Sequence, residues 1–305
     1  MSHVTEEQVT SGLRNAGVRS GQVILVHSAM RTLGMVAGGA DTVVNGLLDV
    51  LGPQGTLVAP TFTFAHEATD DPLIDPKNDP SEMGAITETV RRRSGAMRST
   101  AYRHSFAAIG PQAPAITQVD PSLSVFDVNS SFGAMLKVDT HILLLGMTYA
   151  HSTSHHFAER LCDVPYRHTL PIEVKVRMPD GSIQTQSMTD YQPKPSPDGS
   201  YYGSRGPDFN RLGRELEQRG QVGTAPIGNA AIRCYAMRNL IDLAKKEGTR
   251  DANVFRTEDG KKEQYTPLKF GTIVISPMLQ DGAGREFSCQ WCVMDEQKLK
   301  LPLLT

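Results

Sequence analysis

Apolar positions along the chain switch between a strand period and a helix period in a regular order. Gln22–His27 is a β-branched, apolar run and reads as a strand, and Thr56–Thr61 reads as a second. Between them Ala40–Leu51 is amphipathic at helical spacing and stops at Gly52. Strand, helix and strand in that order predict a parallel pair joined by a right-handed crossover. Residues 5–17 predict an earlier helix capped by Thr5, with Glu7 in its first turns. Further on, the pattern predicts a helix over Gly84–Arg93 and a strand over Ser105–Gly110. Short helices and turns follow across 111–135, then a central strand over His141–Gly146.

The second half of the chain changes character. Ile172–Met178 and Ile183–Met188 alternate, and Pro179–Asp180–Gly181–Ser182 between them predicts a hairpin turn. Thr189–Asp190–Tyr191 then leads into Pro193–Pro207, rich in Pro, Gly and Ser. Phe209–Arg219 and Asn229–Glu247 read as helices, and Phe270–Pro277 and Glu286–Met294 as strands. Residues 64–81 carry many Asp, Pro and Asn. Loops of that length without structure of their own usually have a functional reason. No internal repeat is visible. These elements predict an α/β fold: one domain with a central mixed sheet flanked by helices and an added antiparallel strand insertion. Residues 1–250 form the body of that domain, and 251–305 are a C-terminal extension packed on it.

Composition narrows the function more than it narrows the fold. With 305 residues and 39% hydrophobic positions the chain can bury a sizeable core. A net charge of −2 gives no general attraction for nucleic acid or an anionic membrane. No apolar run approaches a membrane span, and Met1–Glu7 is polar without a signal-peptide core, so a cytoplasmic protein is expected. Arg91–Arg92–Arg93 reads first as a solvated helix end. Cys289 and Cys292 have C-x-x-C spacing, but Cys162 and Cys234 are isolated, which argues for reduced thiols and against a structural zinc.

The densest chemistry lies in His151–Ser152–Thr153–Ser154–His155–His156–Phe157–Ala158–Glu159, just past the strand Ile142–Gly146. Ser152 or Ser154 can cap a helix there. His156 and Glu159, three residues apart, fall on one face of it. A histidine beside a carboxylate at a strand-to-helix turn suits a proton acceptor. His155 points roughly 100° away around the helix and ranks second. His151 and His155 share a face, but the stretch lacks the His-Glu-x-x-His pattern of zinc helices, so no metal is expected.

That segment resembles the signature of the aminoglycoside 3-N-acetyltransferases, in which a Leu-Leu-Leu-Gly strand leads to a Thr-Ser-x-His-x-x-Glu helix. Four other blocks resemble the same family in the same order. They are Val26–Gly34 with Gly38–Gly39–Ala40, Gln54–Phe62, the run Asp79–Gly84, Arg98–Ser99 and His104–Gly110, and Ser131–Phe132–Gly133. The resemblance spans about residues 5–245.

It implies transfer of an acetyl group from acetyl-coenzyme A to an amine of a small polar substrate, aminoglycoside antibiotics first. By direct attack, no protein nucleophile is needed. His156 is then the general base, with Glu159 and Asp190 as catalytic carboxylates. Asp190 is expected to fix the tautomer of the ring. Ser28, Met30, Arg31, Thr32, Gly38, Gly39 and Ser105 are expected to bind the coenzyme. His104, Tyr102, Asp75 and Asp79 are expected to line the acceptor site, the acidic loop attracting a cation. The family's His-Pro before this strand is replaced here by Ala101–Tyr102, which points to an altered pocket and leaves a non-aminoglycoside amine as the alternative. A metal-dependent hydrolase and a protein that only binds coenzyme A are the rivals. A homodimer stays open.

Overall fold

The computed structural model of the chain describes residues 3–69, 71–194, 207–251 and 253–256, with two further short strands, Leu279–Gln280 and Glu286–Phe287. Helix α1 (Glu6–Asn15) starts at Thr5, whose side chain accepts from the Gln8 amide while the Gln8 side chain accepts from the Thr5 amide. Strand β1 (Val23–Ser28), helix α2 (Gly39–Leu51) and strand β2 (Thr56–Pro60) form the expected unit, with β1 and β2 parallel. Strand β3 (Leu73–Ile74), helix α3 (Ala85–Arg92), strands β4 (Met97–Arg98) and β5 (Phe106–Ile109), and helices α4 (Ala113–Thr117) and α5 (Ser131–Lys137) follow. Then come strand β6 (His141–Leu145), helix α6 (Ser154–Leu161) and the long strands β7 (Arg167–Arg177) and β8 (Ile183–Pro193). Helix α7 (Asn210–Gln218), strands β9 (Gly223–Ile227) and β10 (Ala230–Ala236), and helix α8 (Met237–Gly248) complete the body.

The main sheet has the order β4-β5-β2-β1-β6-β10-β9. Its centre, β2-β1-β6, is parallel, and the outer strands on both sides are antiparallel. The period-2 pattern splits the core into two layers. Leu25, Val58, Ile142 and Leu144 pack with Phe132, Phe157, Leu212 and Leu240 on one face. Ile24, Val26, Leu57, Leu143 and Leu145 pack with Leu13, Val43, Leu47 and Val90 on the other. Central parallel strands are covered on both sides, which is why they read as unbroken apolar runs. Each fully buried Leu or Val contributes roughly 1.5–3 kcal/mol.

Three expectations are corrected. The single helix expected over Asn229–Glu247 is strand β10 followed by helix α8. Ala-Ala-Ile-Arg-Cys-Tyr-Ala lies antiparallel beside β6, Ile232 opposite Leu145, and is tied to β9 through the Gly228–Asn229 turn. An alanine-rich start suits a helix locally, and burial beside β6 overrides it. The acidic segment 64–81 is not all loop, because β3 pairs parallel with β7. The hairpin is longer than its alternation suggests. Strands β7 and β8 pair from Arg167–Pro193 down to Arg177–Ile183, which puts Asp190 inside a strand.

The added ribbon β3-β7-β8 has its own small core of Ile74, Val174, Val176 and Met188. Just past residue 250 the chain packs on the body: Val254 and Phe255 are buried in the main core, and Phe255 O accepts from the Asp208 amide at 2.8 Å. Cys289, Trp291, Cys292, the strand expected over Phe270–Pro277 and most of the 251–305 extension lie outside the described residues.

Candidate functional site

The carboxyl ends of β1, β2 and β6 meet at one edge of the sheet, where open α/β sheets place their ligands. Because β5 runs antiparallel with Phe106 opposite Pro60, Arg103, His104 and Ser105 arrive at that same edge. After β6 the chain turns through Gly146, at φ +72°, a backbone conformation that favours glycine. A Cβ there would clash with Thr32 Oγ1. Helix α6 then begins with Thr153 as its N-cap and no side-chain cap bond, so neither Ser152 nor Ser154 caps it as expected.

His156 and Glu159 are brought together as their spacing predicts. His156 Nδ1 lies 2.6 Å from Glu159 Oε2. Tyr166 donates to Glu159 Oε1 at 3.0 Å. Arg167 Nε sits 2.8 Å from Oε2, a charge contact whose angle is too poor for a hydrogen bond. Burial works to raise the Glu159 pKa, but Arg167, His156 and Tyr166 outweigh it and hold the carboxyl below its ordinary range. An ionised carboxylate can only accept, so Nδ1 carries the proton and the ring's lone pair is on Nε2. Burial, then Arg167 and Arg103, push the His156 pKa below the ordinary histidine value despite Glu159. His156 is therefore neutral at pH 7 and keeps 9% of its surface exposed, against 1% for Glu159.

Asp190 takes a different partner from the one expected. Its Oδ2 accepts from Arg103 and, at 2.6 Å, from Gln192 Nε2, while the carboxylate on Nδ1 of His156 is Glu159. Arg103 and Asp190 are both buried, and a buried guanidinium demands a counter-charge. Phe126 joins the two halves of the site, packing edge-on at 5.8 Å from His156 and 5.2 Å from His104. His104 also packs edge-on at 4.8 Å from Phe62. Burial, then Arg103, His156 and Arg167, hold its pKa well below the ordinary value. Tyr102 packs against the ribbon core and lines, with Arg103, His104 and Asp190, a small cleft. Sequence reasoning passed over Arg103, Arg167, Tyr166 and Phe126. Arg103 stood next to the Ala101–Tyr102 departure, which was the available signal. Arg167 and Tyr166 had none locally.

Three carboxylates of the acidic loop have partners within the chain. Asp75 pairs with Arg177 at 3.0 Å, Asp79 with His66 at 3.1 Å, and Asp71 with Lys175 at 2.6 Å. Arg98 ties the loop down, donating to the Asp79 and Pro76 carbonyls and to those of the strand end at Thr61. Asp75 and Asp79 are thus placed as turn and tether residues, not as open carboxylates. Asp70 lies outside the described residues.

Of the expected coenzyme contacts, Ser28, Met30 and Thr32 are partly buried, and Arg31 is exposed on the 3-10 turn Met30–Leu33. Gly38 is the left-handed N-cap of α2, with Gly39 beside it. The Thr32 hydroxyl donates to the Ala29 carbonyl at 2.7 Å. The buried Ser105 hydroxyl donates to the Thr61 carbonyl at 2.8 Å and accepts from Arg98 Nε at 3.1 Å, so it braces the strand end. Arg91 and Arg93 are likewise spent, on Glu88 and on Asp41 with Asn45.

His155 turns to the other side of α6, stacked on Phe209 at 4.7 Å, with Nδ1 at 3.1 Å from the Ser152 carbonyl. Burial pushes both His155 and His27 down to about 3. A histidine whose folded pKa is depressed stabilises the fold fully above its unfolded pKa near 6.5. It does so progressively less as pH falls from there toward the folded value. We expect each to cost on the order of 2 kcal/mol by pH 5 relative to pH 7. Urea unfolding at the two pH values tests this, and equal midpoints would refute it.

The fold and site together define a three-layer α/β protein with a carboxylate-held histidine at the carboxyl edge of a mixed sheet. The family model of aminoglycoside 3-N-acetyltransferases matches residues 25–247, and the chain belongs to that family. Membership makes it an acetyl-coenzyme-A-dependent acetyltransferase by class. It is 28% identical over 262 residues to aminoglycoside N(3)-acetyltransferase VII of Streptomyces paromomycinus, covering 79% of this chain and 90% of that one. It is 29% identical over 246 residues to aminoglycoside N(3)-acetyltransferase IV of a Salmonella species, covering 80% and 87%. The crystal structure of the aminoglycoside acetyltransferase AAC(3)-IVa apoenzyme superposes with a TM-score of 0.66 at 26% identity, over 84% of this chain and 92% of that one.

Proposed function

We propose that the protein transfers an acetyl group from acetyl-coenzyme A to an amine of an aminoglycoside-type amino sugar, with His156 as general base. The observation that carries this is the 2.6 Å contact between His156 Nδ1 and an ionised, buried Glu159. In the reaction the amine nitrogen attacks the thioester carbonyl, its proton passes to His156 Nε2, and the carbon–sulfur bond breaks. The departing thiolate takes a proton in turn. Glu159 stabilises the imidazolium that forms between these events. Arg167 holds Glu159 ionised, so the pair is set before substrate arrives.

Direct attack is favoured by the thiols available among the described residues. Burial raises the Cys162 pKa and pushes Cys234 up to about 12, so neither offers a thiolate at neutral pH. For the coenzyme, Ser28, Met30, Arg31, Thr32, Ser105 and the Gly38–Gly39 start of α2 are the proposed contacts. The α2 amides there suit phosphate oxygens.

The test is thiol release from acetyl-coenzyme A across a panel of amines, followed against pH. Because the base must be neutral and its pKa is lowered, the acid limb of kcat/KM is expected below the ordinary histidine value of about 6.5. An acid limb at or above that value would count against His156. No amine-dependent thiol release would count against the reaction itself.

A further inference from the structure

We infer that Tyr166 and Arg256 are positioning residues for the transfer: Arg256 holds the Tyr166 ring, and the Tyr166 hydroxyl fixes the Glu159 carboxylate so that its other oxygen faces Nδ1 of His156. The inference rests on the acetyl-transfer reading above. The two oxygens of Glu159 have separate tasks. Oε2 meets His156 Nδ1 at 2.6 Å, and Oε1 accepts from the Tyr166 hydroxyl at 3.0 Å. Arg167 Nε lies 2.8 Å from Oε2, but its angle makes no hydrogen bond. Arg167 therefore supplies charge without direction, and the last torsion of a glutamate is soft. A hydrogen bond does have a direction. Among the described residues Tyr166 gives the one that sets the carboxylate plane from the Oε1 side. Burial and then Glu159 raise the Tyr166 pKa, so the phenol stays a donor through the neutral range. The Tyr166 backbone is held too, its carbonyl accepting from the Lys194 amide at 2.8 Å. The ring is held by chain beyond the family match, which ends at residue 247. The Arg256 guanidinium lies 4.6 Å from the centroid of the Tyr166 ring. A cation over an aromatic face is attracted to it and draws electron density from the ring, which makes the phenol a stronger donor. Arg256 is itself placed. Val254 and Phe255 before it are buried in the main core, its amide donates to the Asn253 carbonyl at 2.8 Å, and it bridges to Pro207. The segment after α8 thus reaches the catalytic pair through one ring.

Nitrogen-15 NMR of the imidazole nitrogens, on the full chain at neutral pH without substrate, reads the His156 tautomer, because protonated and unprotonated ring nitrogens differ in shift. The His156 signals are assigned by their absence from His156→Ala, and turnover is read separately by thiol release. The wild type should show the proton on Nδ1. Tyr166→Phe keeps the ring and removes the hydroxyl. It should show a mixture of tautomers, and its kcat should fall about tenfold with KM little changed. Arg256→Gln should move both readings the same way by less, about threefold in kcat, and Arg256→Lys, which keeps a cation over the ring, should recover most of that. A purely structural role would lower the melting temperature and leave the tautomer alone. Thermal melting of each variant identifies a lost fold, and Tyr166→Phe carries the test if an Arg256 variant does not fold. A mixed tautomer in the wild type, a wild-type tautomer and kcat in Tyr166→Phe, or no difference between folded Arg256→Gln and the wild type overturns the inference. The expected tautomers in a protein that releases no thiol with any amine would leave the positioning standing and overturn the acetyl-transfer reading alone.

Discussion

His156→Ala is expected to lower kcat by about 10²- to 10⁴-fold, the range for removing a general base. The amine proton then has only water to accept it. Coenzyme A affinity should change little, because the residues assigned to the coenzyme sit on the β1–α2 connection. The loss should be in kcat more than in KM, since the proton moves only in the transition state. The cavity left beside Phe126 and Phe209, whose rings pack at 5.8 and 5.0 Å from the imidazole, will cost some stability. Saturating-substrate turnover measured well below the variant's melting temperature keeps the two effects apart. Near-wild-type kcat there would move the assignment to His104.

Glu159→Gln should fail in two measurable ways. The amide can donate to Nδ1 of His156, which puts the ring's proton on Nε2 and removes the lone pair the reaction needs. A loss of roughly 10²-fold or more in kcat is expected. The same change strands the Arg167 guanidinium, whose side chain is 2% exposed, beside a neutral partner. Breaking a buried pair in this way costs about 3–5 kcal/mol. The Glu159 pKa is depressed in the fold, so its stabilisation is complete above the unfolded carboxyl range and is lost as pH falls through the folded value. The variant and wild type should therefore differ most at neutral pH and converge in acid. Denaturant midpoints followed from pH 7 downward through the carboxyl range read this directly. A variant as stable as the wild type at pH 7 would mean that Arg167 draws its compensation elsewhere.

Much of what is local in the structure was legible from local patterns, the α6 cap excepted. The Thr5 cap, the strand Ile142–Leu145 and the i, i+3 pair His156–Glu159 sit where spacing puts them, because each depends on neighbours within a turn or on unbroken burial. What was hidden depends on partners far along the chain. Ala230–Ala236 is a strand because β6 lies beside it, not because of its own composition. Asp190 meets Arg103 across 87 positions, and Glu159 meets Arg167 only because β7 returns past α6. The acidic loop looked like an attractor for a cation. Asp71 and Asp75 fasten it to β7, since Lys175 and Arg177 could not be paired with them before β3 was known to join the ribbon. The Ala101–Tyr102 departure stands beside Arg103, whose buried pairing with Asp190 no local pattern announced.

The central step of the proposed reaction is direct passage of the acetyl group from coenzyme to amine. Mass analysis of protein and amine after incubation with acetyl-coenzyme A, with and without the amine, tests that most directly. The prediction is an amine one acetyl group heavier, formed in step with free coenzyme A, and a protein whose mass never changes. An acetylated protein in the absence of amine, or thiol release that leaves the amine unmodified, would contradict it.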